Sequence, residues 1–403
     1  MQTLARLDLR GRLIAAGWLV TMIGTLVFIM SRPLDFSLDL RVYRVGGEAW
    51  LKGFPLYVDG FAKPLGGPDL PFTYPPVAAV IFSLLALVPL AVAVFAVAFV
   101  NLAALTTLCL IAASRVCGWG PQAVQWGLGV AAVTSIFDPL RETLWFGQIN
   151  LMLGVLVMAD CLLARTRWPR GALIGLAAAI KLTPAFFALY FVAKREWRPV
   201  VVAIGSFLFF GVLGFLIAPS DASKYWLGAL LDPSRVGRLT YTANQSLRGL
   251  VARLGLDGSA QVLTWVVLSL LVVVVTYLVA VWARGIGDDL VAFLAVATGG
   301  LLISPVSWGH HWVWIAPALV LLARPGLRRG RAFWAGFLPL TLVFALGPHW
   351  WFPNDNDVER NWAWWQQVIG NAYVWAGLGV LVTLALLARA QRRNALSATA
   401  GGS

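Results

Sequence analysis

The chain has 403 residues, of which 60% are hydrophobic and 12% charged, with a formal net charge of +13. Soluble domains carry about 25% charged residues, so this composition excludes an ordinary water-soluble fold. The basic excess does not point to nucleic acid, because many of the arginines and lysines sit in short loops beside apolar runs, where anionic lipid headgroups are the counterpart.

No Asp, Glu, Lys or Arg interrupts Leu13 to Met30, Tyr74 to Ser114, Gly258 to Ala283, Leu290 to Gly309, Ala332 to Pro353 or Asn361 to Ala388. Backbone amides in hydrocarbon must be paired within their own segment, so these runs predict helices. The expected helices are 12–31, 74–88, 90–114, 120–137, 149–165, 171–192, 198–218, 259–283, 288–304, 309–323, 332–348 and 366–389. The expectation is therefore an all-α polytopic transmembrane bundle of about 12 helices, one domain over residues 1–390, with 391–403 as a disordered tail. The first run follows Arg6, Arg10 and Arg12 as a signal peptide would. It is longer than the usual signal core, and Arg32-Pro33 follows it in place of a small-residue cleavage site, so it reads as a retained helix.

Charge bias places both termini and the loops 284–289 and 324–331 inside, and 32–73, 219–258, 304–311 and 349–365 outside. The arginines of 165–170 break this scheme: they look internal by charge and external by parity. A broken or re-entrant helix at Lys181-Leu182-Thr183-Pro184 removes the conflict, since Pro184 deletes a backbone hydrogen bond.

The first outer loop carries Asp39, Arg41, Tyr43, Arg44, Gly46, Gly47 and Glu48. As a helix it sets Asp39, Tyr43 and the glycines on one face and Arg41, Arg44 and Glu48 on a neighbouring one. A glycine pair there implies close approach of another backbone or a ligand. The alternative is a plain amphipathic helix at the interface with a solvated aspartate. The segment Leu70-Pro71-Phe72-Thr73-Tyr74-Pro75-Pro76 starts the next helix and sets Tyr74 in the wall opposite Asp39. Between Asp138 and Asn150 a polar interruption offers Arg141 to a phosphate and Gln148 or Asn150 to a hydroxyl, with a self-satisfied turn as the alternative.

Lys181 is expected inside an apolar helix, where a lysine costs at least about 2.5 kcal/mol and needs a partner such as a phosphate. Asn244 and Gln245 offer donors to a sugar from a late outer loop. His310 and His311 follow Trp308; neighbouring residues on a helix diverge by about 100°, so at most one faces any given site. Segment 349–365, with His349, Trp350, Trp351, Trp362, Trp364 and Trp365, suits an interfacial belt or stacking on sugar rings. Asp355-Asn356-Asp357 resembles the metal motif of nucleotide-sugar transferases, but the sequence contains neither a βαβ pattern nor a phosphate-binding loop. Cys109, Cys117 and Cys161 show no metal spacing and histidines number three. No metal, cofactor, nucleotide sugar or nucleic acid is expected.

Five runs in order, Asp39-Leu40-Arg41-Val42-Tyr43-Arg44, Leu70 to Pro76, Gly147-Gln148-Ile149-Asn150-Leu151, Lys181-Leu182-Thr183-Pro184 and Ser304 to His311, resemble glycosyltransferase family 87 of the GT-C superfamily. The resemblance covers residues 11–390 and implies a GT-C-type fold. It also implies an inverting α-1,2-mannosyltransferase of a bacterial inner membrane, with its active site on the outer face. The donor it implies is polyprenyl-phosphate-mannose, and the acceptor a glycolipid of phosphatidylinositol mannoside or lipomannan type. It matches Asp39 to the general base, and His310 or His311 to a functional histidine. Other readings are a transporter or flippase of lipid-linked sugars, an assembly scaffold, or a transferase of another polyprenyl-phosphate sugar such as arabinose.

Overall fold

The computed structural model describes residues 7–324 and 330–400, and among these every regular element is helical apart from one isolated bridge between Asn244 and Trp308. Five helices are long and apolar enough to cross a membrane: Leu9–Met30, Leu90–Cys117, Trp197–Ile217, Gly258–Gly285 and the Ala372–Arg389 part of the last helix. A sixth counts if the bent pair Asp138–Phe146 and Asn150–Leu162 is one span. By length and composition, the described residues do not confirm the expected number of about twelve. Several expected helices are short, such as Pro76–Ala86 and Asp289–Ile303, and others are broken. The long helices leave Leu19, Val20, Ile23, Val201, Leu208, Leu263 and Leu270 exposed, a surface suited to lipid.

Three breaks shape the interior. The first bends the chain by 116° between Phe146 and Asn150, with Gly147 at φ +68. The second falls at Lys181. The helix Ala172–Ile180 ends there, Lys181 itself is extended at φ −148 and ψ 123, and a tight 3-10 turn follows from Thr183 to Phe187. This corrects the expectation of a lysine inside one helix over 171–192: Pro184 has no N–H to give the Ile180 carbonyl, so the helix cannot continue. The third lies in the expected helix 309–323, which is a 3-10 turn at Gly309–His311, a short helix Ile315–Leu319 and another 3-10 turn Val320–Ala323.

The basic loops gather at one end. Arg115, Arg170, Glu196, Arg198, Arg284 and Asp289 line one shared pocket, and Arg115, Asp288, Asp289 and Arg324 line the next. Ion pairs knit them: Arg284 to Glu196 at 2.9 Å, Arg115 to Asp289 at 2.7 Å and Arg324 to Asp288 at 2.6 Å. Arg170 donates to the Asp160 and Cys161 carbonyls. The segment containing Lys181 thus starts and finishes at the same end, as a re-entrant hairpin does, and Arg170 joins the other basic loops.

The opposite end is built from the long loops. Buried Arg253 ties them by donating to the Asn371 side chain at 3.1 Å and the Asn244 carbonyl at 2.9 Å. The helix Leu38–Lys52 lies at this end and stops at Gly53 in the left-handed conformation. Its two glycines admit close neighbours: a Cβ on Gly46 would lie 2.4 Å from the Phe72 ring, ahead of the helix Pro76–Ala86, and one on Gly47 2.5 Å from the Phe82 carbonyl carbon and the Ser83 nitrogen within that helix. At Gly47 the close neighbour is backbone, which cannot swing aside. The Asp355–Asp357 stretch is a turn, with Asn356 and Asp357 at φ 55 and 61. The last helix runs from Ala372 to Ala400, into the stretch expected to be a tail, and residues 401–403 lie outside the described part.

The packing at Gly47 yields a prediction. Gly47→Ala lowers unfolding stability by about 1–3 kcal/mol through overpacking, read as a lower melting temperature of the purified protein. Gly24→Ala, where nothing lies within 4 Å, leaves it unchanged or raises it by up to about 1 kcal/mol.

Candidate active site

The three breaks deliver polar side chains to one chamber. Asn150 comes from the first, Lys181 from the second and His311 from the third; Gln148, also from the first, Asp39 and Tyr43 of the Leu38–Lys52 helix, and Tyr74, whose ring lies 5.7 Å from Lys181 Nζ, stand beside them. Backbone that leaves the helix inside a membrane protein is tolerated where it lines a cavity, and the breaks obey that rule.

Asp39 is half-buried and takes a hydrogen bond from the Gln148 side chain. Gln148 in turn accepts from the Tyr43 hydroxyl at 2.7 Å, and the Tyr43 and Tyr74 hydroxyls share a hydrogen bond of 2.8 Å. Asn101 holds the Gln148 backbone by donating to its carbonyl at 2.8 Å. Tyr43 stacks on Phe82 and Tyr74 meets it edge-on, so both phenols are fixed by packing as well. Burial raises the Asp39 pKa to about 6, against the opposing pull of the Gln148 hydrogen bond and the positive charge of Lys181. A carboxylate with that pKa is ionised at neutral pH yet basic enough to take a proton.

Lys181 donates to the Asn150 side-chain oxygen at 2.9 Å, and its Nζ lies 3.2 Å from His311 Nε2. The Trp308 amide donates to His311 Nδ1 at 3.2 Å. Burial, then the neighbouring Lys181 charge, holds His311 well below its usual pKa and so neutral. With Nδ1 accepting, the one ring proton of a neutral imidazole belongs on Nε2. Two N–H donors therefore converge, with only Asn150 as an acceptor between them. An anionic oxygen completes this arrangement.

The donors sit at the head of a cavity of about 570 Å³. Its charged and ring-nitrogen donors are Lys181 and His311, with Asn150 beside them; Thr183, Ser304 and Ser307 add hydroxyl-bearing residues, and the rest of the lining is apolar and includes Leu153, Val157, Leu182, Phe186, Ile303 and Trp314. A phosphate at the head with a hydrocarbon chain along the walls matches this division.

The structure separates the two histidines. His311 lines the cavity, whereas His310 is buried with its Nδ1 3.9 Å from Glu142 Oε2, and its carbonyl accepts from Thr143 and Asn150 at 3.0 Å each. Arg141 pairs with Asp138 at 2.8 Å on that same side. Arg44 donates to the Leu85 carbonyl at 2.8 Å and to that of Val88, closing the end of the Pro76–Ala86 helix. Arg41 pairs with exposed Asp35 at 2.8 Å. Asn244 and Gln245 are fully buried. Asn244 receives the Ser307 amide and donates to the Leu239 and Pro305 carbonyls. Gln245 bonds Thr242, Gly370 and Tyr373. Both are struts that hold the His311 loop, not groups turned toward the chamber. Trp308 packs on Tyr241 and supplies the amide that orients His311.

Two features are absent from the residues singled out in the sequence: Asn101, which positions Gln148, and the convergence of Asp138, Glu142 and His349. That group is the set of three metal-type ligands among the described residues, and it lies on the His310 side of the turn. The signal for it was present: Asp138, Arg141 and Glu142 place three charges in five residues between apolar helices.

Residues 72–305 match the family model described as glycosyltransferase family 87. The chain is 38% identical over 380 residues to the polyprenol-phosphate-mannose-dependent alpha-(1-2)-phosphatidylinositol mannoside mannosyltransferase of Mycolicibacterium smegmatis, covering 88% of this chain and 84% of the relative. It is 36% identical to the protein of the same description from Mycobacterium tuberculosis, over 95% of this chain and 93% of the relative. It is 37% identical to the polyprenol-phosphate-mannose-dependent alpha-(1-2)-phosphatidylinositol pentamannoside mannosyltransferase of M. smegmatis, over 87% and 83% of the two chains. No solved structure matches the chain. The family model spans more than half of the sequence and the identities run nearly end to end, so the chain belongs to glycosyltransferase family 87.

Proposed function

We propose that the protein transfers mannose from polyprenyl-phosphate-mannose to a hydroxyl of a phosphatidylinositol mannoside acceptor, forming an α-1,2 linkage with inversion. The observation that carries this reading is a half-buried carboxylate within electrostatic reach of Lys181, which with His311 forms two convergent N–H donors lining an apolar cavity. The relatives' names supply donor and acceptor class. They differ in the number of mannoses on the acceptor, and that number is the variable left to assay.

In the reaction the acceptor oxygen bonds to the anomeric carbon as the bond to the phosphate oxygen breaks. Asp39 takes the acceptor's proton, and the polyprenyl phosphate leaves with the electron pair. Lys181 and His311 Nε2–H stabilise the charge gathering on that phosphate. One displacement needs one base, unlike the two carboxylates of glycosidases. Gln148, Tyr43 and Tyr74 hold the base in place, so its geometry is set before substrate arrives. The basic loops lie at the opposite end from Asp39, which supports a chamber opening on the outer face of the cell membrane. A flippase would need no proton acceptor beside its phosphate site, and nothing in the geometry favours that alternative over transfer.

Purified protein incubated with polyprenyl-phosphate-mannose and a phosphatidylinositol mannoside gains one hexose on the acceptor by mass; no product with any mannoside of the series refutes the activity. Asp39→Asn keeps the shape, removes the base and lowers kcat by about 10² or more. The pH profile of kcat/KM falls on the acid side with a midpoint near 6, because the base is lost as Asp39 protonates. A profile flat from pH 5 to 8 contradicts the assignment. Lys181→Ala lowers kcat by about 10²–10³ through loss of a phosphate-stabilising donor, and unchanged turnover moves the phosphate elsewhere.

A further inference from the structure

Behind His310 lies a second polar cluster that the transfer reaction does not use. Asp138 and Glu142 occupy successive turns of the Asp138–Phe146 helix, and His349 comes from the 3-10 turn Pro348–Trp351. Asp138 and His349 are fully buried and Glu142 is 5% exposed. One ligand atom from each lies within 4.8 Å of the others, and His349 Nε2 is 3.8 Å from Asp138 Oδ2.

The partners of these groups do not balance. Asp138 receives Tyr373 at 2.8 Å on one oxygen and Arg141 at 2.8 Å on the other. Glu142 takes a hydrogen bond from Trp350, but its Oε2 has no partner. Neither ring nitrogen of His349 has a partner, and His310 Nε2 has none either. An unmade hydrogen bond on a buried group costs about 1–3 kcal/mol, and here several face one small volume. Arg141 answers one carboxylate; the second has no ion-pairing cation other than His310, should that ring be protonated.

The backbone around the cluster leaves room. A Cβ on Gly309 would lie 3.0 Å from Glu142 Oε2 and 3.1 Å from His349 Nε2, and one on Gly347 would lie 2.5 Å from the Asp138 carboxyl carbon. Side chains at those two positions would plug the space between the ligands.

We propose that Asp138, Glu142 and His349 form a site for a first-row divalent cation, Mn²⁺ or Zn²⁺, separate from the chamber that holds Asp39. Two carboxylate oxygens and an imidazole are ligands these ions accept. At a tetrahedral centre, bonds of about 2.0–2.2 Å set ligand atoms roughly 3.3–3.6 Å apart, so the 3.8 Å pair closes by a few tenths of an ångström on loading and the widest pair by about 1 Å. With the ion bound, the two carboxylates face both Arg141 and the ion, and Glu142 gains the cationic partner it otherwise lacks. The ion would tie the Asp138–Phe146 helix to the Pro348–Trp351 turn, with the Gly309–His311 turn packed against both. Its work is to fix that turn, and with it His311, without contact to the reacting atoms.

The full-length protein, purified in detergent and stripped with a chelator, is titrated with Mn²⁺ and followed by electron paramagnetic resonance, with Zn²⁺ as competitor. The expected result is one saturable site per chain with a nitrogen coupling from one imidazole, a melting temperature that rises on loading, and affinity at least about tenfold weaker in Glu142→Gln. Absence of stoichiometric uptake of either ion by the wild-type protein overturns the proposal and leaves the cluster to a trapped water or a shared proton. Uptake without nitrogen coupling, or undiminished in a folded Glu142→Gln, overturns the ligand set. The wild-type titration decides even if the variant fails to fold.

Discussion

A lysine drawn out of water at the end of a broken helix is the constraint around which the rest is arranged. Lys181 sits where Ala172–Ile180 stops, with its ammonium group turned to Asn150 and His311. A cation in low dielectric is costly unless answered by acceptors or a counter-charge. Asn150 answers it in part, and the charge of Asp39 is felt across the chamber. What remains is a standing preference for an anion, which a lipid-linked phosphate meets. The apolar walls below Lys181 then have a purpose, since the same molecule brings its own hydrocarbon.

The chamber can exist because the helical path is broken at three places. A continuous helix hides its backbone and offers only side chains. A break exposes carbonyls and N–H groups that must find partners, and here they orient the functional side chains. The carbonyl of His310 receives Thr143 and Asn150, and the amide of Trp308 fixes His311. The breaks thus position one another, and the glycines at 46 and 47 let the helix bearing Asp39 lie against Phe72 and the next helix closely enough to complete the wall.

Much of this was legible in the residues. The apolar runs marked the helices, the glycine pair marked a close approach, and Pro184 marked the break that reconciles Arg170 with the other basic loops. The chamber's members were named too, because polar residues in an apolar chain are few. Their division of labour was not legible. Arg41, Arg44, Asn244 and Gln245 have the same chemistry as the chamber residues, and only their partners show that they brace loops and helix ends. The two histidines are adjacent in sequence yet serve opposite sides of one turn, which depends on a 3-10 geometry that sequence spacing does not encode. His349 sat among tryptophans that read as an interfacial belt, so its pairing with Asp138 across some two hundred residues had no local signal.

The central claim is that the phosphate of the donor lies between Lys181 and His311 with Asp39 facing the sugar. A structure of the protein with polyprenyl phosphate bound tests it most directly. The account requires phosphate oxygens within hydrogen-bonding distance of Lys181 Nζ and His311 Nε2, and the isoprenoid chain along Leu153, Val157 and Phe186. A phosphate seated instead on Arg41, Arg44 or Arg141, with the Lys181 cavity left to bulk lipid, would contradict it.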